Sequence, residues 1–86
     1  MAYKYENVRP QLFTEVGQIL FLEIRDRAFL LLHNSGAFMA EKAWKGCAGD
    51  TDVMLACLDR MVELEEIGEV TDFHVWGQHK IFRKMP

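Results

Sequence analysis

The sequence predicts an α+β fold: three helices, then a two-stranded antiparallel hairpin. Three observations predict it. Residues 50–67 repeat apolar side chains at three- and four-residue steps, the period of an amphipathic helix. Gly68 follows, and glycine readily takes the left-handed conformation that closes a helix. Beyond it, Val70, Phe73 and Val75, then Ile81 and Phe82, flank Trp76-Gly77-Gln78, the pattern of strands on either side of a turn.

The elements follow in order. Residues 1–13 are expected to be an N-terminal arm and 14–86 one folded domain. Tyr3, Tyr5, Val8 and Leu12 are apolar enough to pack on the body, and Pro10 interrupts or starts a regular element. Residues 14–33 read as the first helix, with Thr14 as N-cap and Asn34-Ser35-Gly36 as the stop. Its core stripe is Val16, Ile19, Leu20, Ile24, Ala28 and Leu31. Gly17 weakens the first turn by up to about 1 kcal/mol relative to alanine, so a later start, at Gln18 or Glu23, is an alternative. Phe21, Leu22, Phe29 and Leu30 lie off the stripe. They are buried on a second face or form the seam of a homodimer. Ala37-Phe38 could form a short strand, and residues 39–45 a short second helix. Asp50 or Thr51 caps the third helix. Val53, Met54, Cys57, Leu58, Met61, Val62 and Leu64 should face the core, and Asp52, Asp59, Arg60, Glu63 and Glu66 the solvent. Glu65 projects from the apolar side.

Composition bounds the function. Eighty-six residues, half of them hydrophobic, make one small core. The longest apolar runs, 53–58, 28–32 and 19–22, fall far short of the roughly 18 residues that span a bilayer. No apolar signal core stands near Met1, so a cytoplasmic protein without membrane contact is expected. Cys47 and Cys57 form no CxxC pair and are expected to be free thiols, Cys57 packed as a small apolar residue. The net charge of −3 conceals segments of opposite sign. Residues 1–49 are near neutral, 50–76 carry −7, and 77–86 carry +3.

A resemblance rests on particular segments: Asp50-Thr51-Asp52-Val53, Leu58-Asp59-Arg60-Met61-Val62, Ile67-Gly68-Glu69-Val70 and Gly77-Gln78-His79-Lys80-Ile81-Phe82-Arg83. In order and spacing they resemble the winged helix-turn-helix superfamily over roughly residues 24–84. The resemblance implies a winged helix whose third helix enters the major groove and whose hairpin is the wing. It implies no single partner, since such folds bind DNA, RNA and proteins.

The residues divide by charge. The exposed face of the third helix would present Asp52, Ala56, Asp59, Arg60 and Glu63. On it only Arg60 and Thr51 suit a phosphate. That face is a solvated acidic surface, a protein-docking face or a groove-reading helix. The wing carries Lys80, Arg83 and Lys84 with His79 and Trp76, a basic hairpin suited to a phosphate backbone or minor groove. Lys42 and Lys45 add two phosphate contacts. His74 and His79 face each other without a third ligand, so neither a metal nor a cofactor is expected. His33 should meet the last carbonyls of the first helix. No phosphate loop, HExxH or nucleophile elbow is present, so the chain is not expected to be an enzyme.

The sequence thus predicts a small, dimeric regulatory DNA-binding protein working mainly through its wing and second helix. The alternative is an adaptor or inhibitor whose Asp52, Asp59, Glu63 and Glu66 dock on a basic protein surface.

Overall fold

A computed structural model describes residues 3–70 and 80–85. These residues form helix α1 (Tyr5–Val8), a 3₁₀ turn (Arg9–Phe13), α2 (Glu15–Ser35), strand β1 (Ala37–Met39), α3 (Ala40–Trp44), α4 (Thr51–Glu63), β2 (Ile67–Val70) and β3 (Ile81–Lys84). The strands form an antiparallel sheet in the order β1-β3-β2. Phe38 sits opposite Phe82 and Gly68 opposite Arg83. The fold is therefore α+β, helices packed on one face of a small sheet. No helix among the described residues is long and apolar enough to cross a membrane.

The arm is helical. Pro10 stands in the first turn of the 3₁₀ segment, where its missing N–H is no loss. Val8 and Leu12 are buried in the common core with residues of α2 and α4.

α2 begins at Glu15 and not later. The Thr14 hydroxyl accepts from the Gly17 N–H at 3.0 Å, and Gly36 closes the helix at φ 77°. Its buried stripe is rotated from the expected one. Gly17, Leu20, Phe21, Ile24, Ala28 and Leu32 face inward, whereas Val16 and Ile19 are 76% and 62% exposed. Phe21 is thus core, while Leu22, Leu30 and part of Phe29 remain on the surface. Gly17 explains the rotation. With no Cβ, it lets the 3₁₀ backbone lie directly on α2.

α4 is capped by Asp50, whose carboxylate accepts from the Asp52 N–H at 2.8 Å. It ends at Glu63, short of the expected Ile67, which opens β2. Glu65, not Gly68, takes the left-handed conformation, at φ 61°. Gly68 is a strand residue on which Arg83 and Met85 lean: an added Cβ would meet Met85 Sδ at 3.1 Å and Arg83 Cγ at 3.7 Å. Leu55 and Ala56 are buried with Met54, Cys57, Leu58 and Met61, while Leu64 is exposed. Ala56 therefore does not belong to an open face. α4 is covered from two sides, by α2 and by the arm, which a single-stripe pattern does not anticipate. Cys47 and Cys57 are free thiols, and burial pushes Cys57 up to about 12. The expected strand residues Phe73 and Val75 and the turn at Gly77 lie outside the described residues.

Candidate nucleic-acid interface

The outer face of α4 is the first candidate. Here the arm closes it. The Tyr3 hydroxyl donates to Asp59 at 2.6 Å and the Tyr5 hydroxyl to Glu63 at 2.8 Å. Arg9 Nε lies 3.0 Å from Glu63, and Arg60 reaches the same carboxylate at 2.7 Å. Phe13 stands between the two guanidinium groups, its ring 4.9 Å from Arg9 and 5.3 Å from Arg60. Arg60 is thus engaged by groups of its own chain, half-buried against Phe13 and Glu63. Glu66 is engaged too, by Arg25 at 2.6 Å, and Arg25 stacks over Phe29. Of the four carboxylates expected to meet a partner, only Asp52 has no side-chain partner among the described residues. Thr51 is exposed beside it.

The seal gives its two carboxylates opposite titration. Hydrogen bonds from Arg60, Tyr5 and Arg9 lower Glu63 from 4.5 to about 2. Burial raises Asp59 above its ordinary 3.8, and this outweighs the Tyr3 hydrogen bond and the charge of Lys80. A lowered carboxylate supports the fold above its unfolded value, so Glu63's contribution is full above 4.5 and is lost as pH falls toward 2. Asp59 has the reverse sign: its ionised form opposes folding, and protonation relieves this as pH falls through its raised value. Carboxyl-detected NMR titration is expected to find Asp59 titrating above Glu63, inverting the usual order of aspartate and glutamate. The usual order would mean that the arm does not sit on α4.

The wing bases separate into two groups. Lys80 is tied down, its ammonium 3.6 Å from Glu69 and 5.8 Å from the centre of the Tyr3 ring. Alternation along β3 buries Phe82 and puts Arg83 on the outer face of the sheet. Arg83 and Lys84 are exposed, and neither forms an ion pair among the described residues. Trp76 and His79 lie outside the described residues, as does His74.

α3 starts beside the beginning of β3, since the Ala40 N–H donates to the Lys80 carbonyl at 2.7 Å. Lys42 and Lys45 are exposed on it and on the loop that follows. With Trp44 they line a hollow of about 410 Å³. Trp44 was missed by the sequence reading, although an aromatic between two lysines is a recognisable cue. Tyr3 and Tyr5 pack on the body as expected, but their bonds to Asp59 and Glu63, and the role of Arg9, were missed, because nothing local shows which distant helix they meet.

Other depressions lie among the described residues. One of about 460 Å³ lies between α2 and the loop before α4, lined mainly by apolar groups including Val16, Ile19, Leu20 and Val53. Another, of about 270 Å³, includes His33, Glu66 and Lys84. His33 sits in the last turn of α2 and is exposed. Among the described residues no three His, Cys, Asp or Glu side chains cluster as metal ligands do. Neither a protein-family model, nor a curated protein, nor a solved structure matches this chain.

Proposed function

We propose that this is a winged-helix protein that binds DNA through its sheet and α3, leaving α4 out of the groove. The element order from α2 to β3 and the sheet order β1-β3-β2 support the winged-helix assignment. One observation carries the choice of surface. The arm lies over the outer face of α4 and holds Asp59, Arg60 and Glu63 there. Among the described residues the exposed bases without an ion pair are Lys4 on the arm and, away from α4, Lys42, Lys45, Arg83 and Lys84. Contacts of this kind go to phosphates and carry little base information. The binding should therefore be weak, tolerant of sequence and sensitive to salt.

Fluorescence anisotropy with short labelled DNA across a salt series tests this. Each phosphate contact on a duplex contributes a slope of about −0.9 in log K against log salt. Arg83→Ala is expected to lower duplex affinity and flatten the slope by about 0.9, whereas Lys84, opposite buried Ile67 on the other face of β3, should matter less. Lys80→Ala should matter less, because Glu69 already holds that ammonium. The proposal fails if micromolar protein binds no DNA at low salt.

A second reading, an adaptor docking on another protein, draws support from exposed Val16, Ile19, Leu22 and Leu30 on α2. Of the expected homodimer seam, Leu22, Phe29 and Leu30 remain exposed, while Phe21 is in the core. The acidic-helix version of this reading has one clean probe, Asp52→Lys. Reversing Asp59 or Glu63 would unseat the arm as well.

A further inference from the structure

The hollow at the end of α3 is lined by Glu41, Lys42, Trp44, Lys45, Gly46 and Cys47. Its volume of about 410 Å³ lies at the small-molecule end of the size range of ligand sites. Three features give it chemistry. Two ammonium groups and one carboxylate leave its wall positive. The indole of Trp44 is half-buried against the core, so its exposed part is held in place. Gly46 stands at φ 85° with nothing within 4 Å of where a Cβ would be, which leaves bare backbone for a close approach.

The segment is also anchored from behind. Arg27 donates to the Lys45 carbonyl, the Cys47 thiol lies 3.6 Å from Glu23, and the Cys47 N–H donates to the Trp44 carbonyl at 2.8 Å. These contacts fix the backbone of the loop on α2 before any ligand arrives. A fixed site loses less entropy on binding than a mobile one.

A flat ring joined to an anion fits these groups: the ring against the indole, the anion between the lysines. In duplex DNA both faces of an interior base are already stacked, so the indole cannot reach one. In an unpaired strand the bases are free to stack on an aromatic platform while lysines follow the phosphates. We propose that this hollow holds a nucleotide of single-stranded DNA, so that the protein prefers an unpaired strand to a duplex. The inference rests on the DNA-binding reading above and narrows it.

The test compares labelled oligothymidine with a blunt duplex of equal length by anisotropy. Oligothymidine is expected to bind about tenfold more tightly. Lys42→Ala with Lys45→Ala should remove most of that preference and flatten the single-strand salt slope by about 1.4. Both lysines are exposed, and circular dichroism checks that the double variant is folded. Trp76→Phe leaves Trp44 as the sole tryptophan, and its fluorescence should be quenched by oligothymidine. Equal or tighter duplex binding, an unquenched Trp44, or a preference untouched by the lysine changes overturns the inference and leaves general DNA binding standing. Binding to neither probe overturns both.

Discussion

Gly17→Ala is expected to destabilise the protein by about 3 kcal/mol, the upper range for forcing extra volume into a packed interior. Helix propensity argues the other way. Alanine is favoured over glycine inside a helix by about 0.8–1 kcal/mol. Sterics decide against it. A Cβ at position 17 would fall 2.0 Å from the Gln11 carbonyl oxygen and 2.8 Å from Leu12 Cα. Both are backbone atoms, so no rotamer change relieves the clash. Nor is the 3₁₀ segment free to retreat. The Thr14 hydroxyl donates to the Gln11 carbonyl at 2.8 Å, and the Gln18 amide donates to the Leu12 carbonyl at 2.5 Å. Moving that backbone would also disturb the Thr14 cap on Gly17 itself. Urea denaturation measures the change, and an unchanged or raised midpoint would refute the packing of the 3₁₀ segment on α2.

Deletion of residues 1–13 is expected to have an effect at least as large. Leu12 is fully buried and Val8 nearly so, and burying such side chains stabilises by about 1.5–3 kcal/mol each. Their loss together amounts to about 3–6 kcal/mol, comparable with the lower end of the 5–15 kcal/mol that holds a typical domain together. The deletion also leaves Asp59 without Tyr3 and Glu63 without Tyr5 and Arg9. The shortened chain should melt at a much lower temperature and with reduced cooperativity. Leu12→Ala alone should cost about 2–5 kcal/mol in the intact chain. A shortened protein that melts with the full-length midpoint would show the arm to be a mere appendage.

Both results turn on what the sequence displays least. The element order was legible because each helix and strand carries its own period and caps. Thr14 and Asp50 cap the helices they were expected to cap, and Gly36 closes α2. The end of α4 was misread because Gly68 is the stronger local stop, whereas the chain turns at Glu65 and enters the sheet at once. The rotated stripe of α2 was hidden for a different reason. Val16 and Ile19 are as apolar as Leu20 and Phe21, and only the backbone crossing at Gly17 selects between the two rows. The candidate site was legible as charge and not as geometry. Net charge by segment pointed to an acidic α4 and a basic segment at 77–86, while Lys42 and Lys45 were singled out within a near-neutral stretch. That the acids of α4 are answered within the chain, by Tyr3, Tyr5, Arg9 and Arg25, depends on contacts between residues far apart in sequence.

The sheet order has a kinetic consequence. β3 lies between β1 and β2, yet it follows both in the chain. Until it arrives, the two outer strands have no ladder to join, and Ala37 must wait for Arg83. Helical segments can form within about a microsecond, while pairings between remote residues are entropically slow. A nascent or newly diluted chain should therefore pass through a stage with helices docked and two unmatched strand edges, the interval in which it is most exposed to intermolecular pairing.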